Sequence, residues 1–224
     1  MTGEELKQRN ITAMGEEAGT QYSLLNNEVA ILHLYWKEYV ELFSTNQKRV
    51  DRLNQTAPGF FRMLQTELFA TNILHLARLT DPSKTGKKEN LSLQNLPELL
   101  TDAGLKTMLT DLLAVATEKT EFARDWRNRR FAHHDLALAT NASAIPPETA
   151  NKEKFNEALN ALADVINAVE AHYFKNFTSF DMIAGNQGAA TLIYVLGDGV
   201  KARERRQKAI AEQRFNELDN PEQI

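Results

Sequence analysis

The sequence predicts an all-α protein: an antiparallel helical bundle with short additional helices and a long C-terminal helix. Three observations carry that prediction. Apolar residues recur at steps of three and four along most of the chain, the period of a helix buried on one face. Glycine and proline are scarce, ten and six in 224 residues, so few positions interrupt a helix. No run alternates Val, Ile or Thr with polar residues between hairpin turns, so no sheet is expected. A repeat of roughly 20 to 50 residues is also missing, which argues against a solenoid. At 42% hydrophobic and 25% charged, the chain can bury a core without covalent staples. One helical domain spanning 1–224 is expected, with its core at about 20–180.

Each element follows from its pattern. Leu24, Leu25, Val29, Leu32, Tyr35, Trp36, Tyr39 and Phe43 form one long apolar stripe. STNQKRVDRLNQTAPG is polar and charged and predicts a short helix ending before Pro58. Phe60, Phe61, Leu64, Leu68, Ile73, Leu76 and Leu79 make the next stripe, which stops at Thr80-Asp81-Pro82. DPSKTGKKEN, with Pro, Gly and three Lys, reads as an exposed loop. NLSLQNLPELLTDAG and GLKTMLTDLLAVATEKT read as a short helix and a longer one, punctuated by Gly104. A helix then begins near Thr117 to Thr120, with Phe122, Trp126, Arg129 and His133 on one face. ALATNASAIPPE is a loop. From about Pro147 another helix carries Phe155, Leu159, Leu162, Val165, Ile166, Val169 and Phe174. The last helix runs from about Gln187 toward Leu218, and the tail ELDNPEQI is expected to fray.

Composition excludes several functions. There is no cysteine, hence no disulfide and no thiolate zinc site. MTGEELKQRN has no secretory character, and the most apolar window, AATLIYVLGDGV, is too short to span a membrane. A cytoplasmic protein without membrane partners is the expectation. The net charge of −4 provides no global attraction for nucleic acid, so anion binding must be local. P-loop, GxGxxG and GxSxG motifs are missing, and no Glu-x-x-His pair suggests a di-iron bundle.

The local concentration is RDWRNRRFAHHD, residues 124–135, with four arginines and two histidines. Its residue types suit RNA cleavage, where the 2′-hydroxyl is the nucleophile. Histidine exchanges protons near neutral pH. Arginine stays charged and offers a fork to phosphoryl oxygens. Asparagine hydrogen-bonds without adding charge. Arg127, Asn128 and His133 supply these three types, with Arg130, Arg124 and His134 as further phosphate- or RNA-binding groups. This chemistry requires neither metal nor cofactor. On a straight helix, positions six apart diverge by about 120°. Either the helix ends before His133 and the chain turns back, or a second subunit completes the site.

The pattern Arg127-Asn128, four residues, then His133 resembles the R-N-x4-H signature of HEPN-domain proteins, helical bundles that include metal-independent endoribonucleases. LARLTDP, then NLSL, then RNRRFAHHD is similar to the abortive-infection (AbiU-like) branch, over about residues 20–175. The resemblance implies a homodimer whose two motifs face each other across a two-fold axis. It also implies a role in phage defence or a toxin-like system, with RNA as substrate and room for a regulatory protein partner. The alternative is a non-catalytic helical module for binding or dimerisation.

Plainer roles compete for individual residues. Asp125 and Arg129, and Glu121 and Arg124, are spaced as ordinary helical ion pairs. In His133-His134-Asp135, adjacent side chains diverge, which disfavours a metal; Asp135 suits a turn. Trp126 reads as a core anchor, and His33, His75 and His172 as satisfied structural histidines. KARERRQK, residues 201–208, reads first as an exposed helix face and second as an extension of an RNA-binding surface.

Overall fold

The computed structural model describes residues 2–132, 148–182 and 188–214. In chain order the long helices are α1 (Gly3–Met14), α2 (Glu16–Phe43), α3 (Gln47–Thr56) and α4 (Pro58–Leu79). After a short α5 (Leu96–Leu99) come α6 (Ala103–Lys119), α7 (Glu121–Trp126), α8 (Lys152–Phe174) and α9 (Ala189–Ala211). Backbone contacts divide the chain into two compact units, Met1–Tyr35 with Phe69–Ile183, and Trp36–Leu68 with Ala184–Ile224. Helices α2 and α4 contribute residues to both.

The first unit is built on α6 packed along α8. Leu105, Leu109, Leu113 and Ala116 give α6 its buried face at steps of four, four and three. Phe155, Leu159, Leu162, Val165, Ile166 and Val169 do the same for α8. Tyr22, Leu25, Val29 and Leu32 of α2 are fully buried, as are Ile73 and Leu76 of α4. Each such side chain contributes roughly 1.5–3 kcal/mol by leaving water. Leu24 and Tyr35, expected on the same stripe, are exposed by 48% and 41%. Adjacent positions on a helix point about 100° apart, so Leu24 cannot follow Leu25 inward.

Helix α1 starts with a capping box, in which Thr2 accepts from the Glu5 N–H and Glu5 accepts from the Thr2 N–H. It crosses α2 at Gly19, where a Cβ would lie 2.4 Å from the Ile11 backbone nitrogen. A buried carboxylate holds the arrangement. Glu170 accepts from Arg9 at 3.1 Å, from the Tyr22 hydroxyl at 2.8 Å and from Asn176 at 3.3 Å. The Arg9 guanidinium also lies over the Phe174 ring, 3.7 Å from its centroid. Burial, reinforced by the Glu170 charge, pushes the Tyr22 hydroxyl far above its ordinary range.

In the second unit, α3 packs on α9. Leu42, Leu53, Phe61, Ala189 and Ile193 form its buried core, flanked by Phe43, Leu64, Leu68 and Leu196. Arg52 lies across Gly197, where a Cβ would meet the guanidinium, and donates to the Ile193 carbonyl at 3.3 Å. The Glu38 carboxylate accepts from the Ala189 N–H and so caps the start of α9.

The structure corrects three local expectations. DPSKTGKKEN is exposed as expected but holds a small antiparallel hairpin, Lys84–Thr85 with Lys88–Glu89, where no sheet was expected. Its two-residue turn places Gly86 at φ 62°, the left-handed geometry that a Gly-first hairpin turn requires. Gly104 lies inside α6; the helix starts because the Asp102 side chain accepts from the Leu105 N–H at 2.7 Å. Helix α3 ends at Thr56, before Pro58 as expected, and Pro58 opens α4, where its missing N–H costs nothing. His172 is exposed and stacks edge-on against Tyr173, in place of a buried site. The expected tail ELDNPEQI and most of ALATNASAIPPE lie outside the described residues.

His33 and His75 are both buried, but only His33 is satisfied as expected. His33 Nε2 lies 3.3 Å from the Leu159 carbonyl, and its ring stacks on Phe180. His75 Nε2 is 2.8 Å from Glu28 Oε2, without good hydrogen-bond alignment. Burial holds both imidazoles below the ordinary histidine value; beside His75, the Arg78 charge adds to this while Glu28 opposes it.

Two outcomes are expected. Gly19→Ala should lower stability in urea unfolding by about 1–3 kcal/mol, since the Ile11 backbone must move; unchanged stability would contradict the close crossing. Because both histidine pKa values are lowered on folding, their contribution is complete above about pH 6.5 and is lost as pH falls toward the lowered values. Thermal melts between pH 7.5 and 5 should show that loss, and His33→Gln with His75→Gln should flatten the profile between about pH 6.5 and 5.

Candidate functional site

The sequence segments LARLTDP and NLSL and the described part of the third, RNRRFA, meet at the end of α4. Beyond Leu79 the chain tightens, with the Thr80 and Asp81 N–H groups donating to the Ala77 and Arg78 carbonyls. Ser92 of NLSL donates to the Leu79 and Asp81 carbonyls, fixing the turn from the other side. Thr80 and Thr120 are both buried, with hydroxyls 2.7 Å apart. Arg124 can only donate, and it donates to Thr80 at 2.8 Å. The Thr80 and Thr120 hydroxyls share a hydrogen bond, and the Thr120 hydroxyl also reaches the Ala116 carbonyl at 2.8 Å. These contacts tie the end of α4 to the joint between α6 and α7.

The RNRRFA stretch departs from ordinary helix. Arg127–Ala132 forms a π-helical turn that follows α7 directly. Such turns are rare and concentrate at functional sites. Their i→i+5 spacing accounts for Phe131 stacking over Trp126, five residues earlier, at 6.0 Å between ring centroids. Angular positions calculated for a straight α-helix therefore do not hold beyond Trp126. Phe122 is buried and Trp126 packs edge-on against Phe69 at 5.2 Å, so these two anchor α7 as expected.

Arg127 Nη1 donates to both carboxylate oxygens of Asp81, at 2.8 and 2.6 Å. Its Nε donates to Asn128 Oδ1 at 3.1 Å. Nη2 has no partner among the described residues. Arg127 is partly buried, with 24% of its side chain exposed, so the pair is shielded more than a surface salt bridge. Asn128 and Arg130 are exposed. Arg124 directs its donors inward, to Glu121 at 3.0 Å, to Thr80 and to the Thr117 carbonyl. It braces the joint below Arg127. Arg129 pairs with Asp125 at 3.6 Å, so both spaced helical pairs in this stretch form. His133, His134 and Asp135 lie outside the described residues. Glu148, the first described residue beyond them, is pinned to α7: its N–H donates to Asp125 at 2.8 Å and its carbonyl accepts from Trp126 Nε1 at 2.6 Å.

Sequence reasoning quoted LARLTDP and NLSL but read Thr80, Asp81 and Thr120 only as helix boundaries and gave Ser92 no role. Four polar residues of ordinary type carry no periodic signal. Only their convergence marks them.

The family model for AbiU2, an HEPN family, matches residues 15–191. The chain belongs to the HEPN AbiU2 family. The match contains all three converging segments and is the abortive-infection branch that those segments suggest. It leaves α1 and most of α9 outside. No match was found among curated proteins or among solved structures.

The Arg127–Asp81 pair should behave as a coupled unit. A double-mutant cycle with Asp81→Ala and Arg127→Ala, read by urea unfolding, should give a coupling of about 1–3 kcal/mol. Additive effects would mean that the pair does not form in solution.

Proposed function

We propose that this HEPN AbiU2 protein is a metal-independent endoribonuclease acting in phage defence. One observation carries the reading: Arg127 is gripped on Nη1 by Asp81 and on Nε by Asn128, leaving Nη2 as a preoriented donor at a π-helical turn. A guanidinium fixed in this way loses little freedom on meeting a phosphate.

In the proposed reaction the RNA 2′-oxygen attacks the adjacent phosphorus as its proton passes to a base. The P–O5′ bond breaks, and an acid returns a proton to the leaving oxygen. The products are a 2′,3′-cyclic phosphate and a 5′-hydroxyl. His133 follows the π turn directly in sequence and supplies base or acid. Arg127 Nη2 stabilises the charge that builds on the phosphoryl oxygens. Asn128, whose Oδ1 holds Arg127, has its amide N–H groups to offer the same phosphate. Arg130, exposed beside them, adds positive charge. Arg124 acts from below by holding the joint, and His134 remains a secondary RNA-binding group. A homodimer supplies the second His133 and lets one imidazole act as base and the other as acid. A non-catalytic module has one observation in its favour: the Asp81 charge already balances Arg127.

The test is incubation of purified protein with total cellular RNA in EDTA, beside His133→Ala of matched fold and oligomeric state. Cleavage by the parent alone, reduced at least a hundredfold in His133→Ala, is the expected outcome. Equal cleavage by both would remove His133 from the reaction. No cleavage by either would favour the binding module.

A further inference from the structure

The second half of α9 is unlike the rest of the protein. Lys201, Arg203, Arg205, Arg206 and Lys208 place five cations in eight residues, with Glu204 the one acid among them, in a chain of net charge −4. Every residue from 201 to 208 is exposed. A helix that is polar on all sides gains nothing from packing, so this half of α9 is held by its ends. On the N-terminal side Ile193 and Gly197 are buried in the second unit, and Arg203 donates to the Gln55 carbonyl at 2.6 Å. On the C-terminal side the Arg214 N–H donates to the Ala209 carbonyl at 2.8 Å.

The outer cations differ in their commitments. Lys201 pairs with Asp198 at 3.2 Å, and Lys208 stands 3.9 Å from Glu212. Both contacts are exposed and weak. Arg205 and Arg206 have no acidic partner among the described residues. They lie between the two lysines, so a rod with two open guanidinium forks faces solvent. Arginine forks match phosphate oxygens in pairs, whereas a surface with a merely solubilising role needs no such excess of one sign. The family match ends at residue 191, so this feature is not part of the matched HEPN core.

We infer that residues 201–208 of α9 form a docking surface for the RNA phosphate backbone. The inference rests on the ribonuclease reading for its choice of polyanion. Contact here is with phosphate and is independent of sequence: α9 raises the local concentration of RNA and leaves the cleavage step to other residues.

The test uses a fluorescently labelled 20-nucleotide 2′-O-methyl oligouridylate, which the proposed chemistry cannot cleave. Anisotropy titrations compare the full chain with Arg205→Gln/Arg206→Gln across a range of salt. The expected result is a loss of affinity of about tenfold or more at low salt. The slope of log affinity against log salt should fall by about 0.7 for each phosphate contact removed. Unchanged affinity and slope would overturn the inference. So would retention of the RNA affinity alongside loss of binding to a polyglutamate peptide, which would assign the surface to an acidic protein. Because this probe is not cleaved, its outcome is independent of the enzyme reading. Loss of RNA binding by the variant, in a protein that cuts no RNA, would keep the docking surface and remove the nuclease. Normal cleavage with unchanged binding would do the reverse. Circular dichroism of the variant controls for folding, since neither side chain is buried.

Discussion

The candidate site depends on how the end of α4 is held. Thr80 and Asp81 are successive residues, and each answers a different arginine. Thr80 accepts from Arg124 and shares a hydrogen bond with Thr120. Asp81 receives Arg127. Two arginines three positions apart are thereby fixed to two adjacent residues of a distant segment. The Arg124 contacts to Thr80 and the Thr117 carbonyl are partly buried, and the Thr80 and Thr120 hydroxyls are fully so, which makes a misplaced alternative costly. With Arg124 locked, α7 has a defined direction, and the π turn begins at a defined place.

That constraint separates the two arginines chemically. Residue type alone makes Arg124 and Arg127 equivalent phosphate ligands. Position makes one a brace and leaves the other with a donor, Nη2, that meets no partner among the described residues. The pairing of Arg127 with Asp81 also sets a condition on the proposed chemistry. A phosphate must add to the guanidinium from the Nη2 side, because displacing Asp81 would leave a partly buried carboxylate without its partner. The tie from Asp125 and Trp126 to Glu148 serves the same purpose from the other direction, returning the chain to α7 shortly after His133 in sequence.

Much of this was legible in the sequence, for a physical reason. Helix period and scarce breakers fix an all-α chain, because burial of one face demands the spacing seen in Leu105, Leu109 and Leu113. The R-N-x4-H spacing and the order of the three segments point to the HEPN family, which the match over residues 15–191 shows. What was not legible was local or convergent. The hairpin at Lys84–Glu89 is decided by one Gly-Lys turn, too short to alternate visibly. The Thr2 and Glu5 capping box sits in a polar opening segment that hydropathy passes over. The π turn has no period of its own to read. Asp81 looks like part of a helix stop, and nothing in its neighbourhood announces that it meets a residue 46 positions away.

The central claim is that the 2′-hydroxyl of RNA is the nucleophile at this site. Determining the chemical ends of the cleaved RNA tests it most directly. A 2′,3′-cyclic phosphate with a 5′-hydroxyl, and no cleavage where the nucleotide 5′ to the cut is 2′-deoxy, is the predicted result. A 3′-hydroxyl with a 5′-phosphate would mean that water attacks instead, and would contradict the roles given to Arg127, Asn128 and His133.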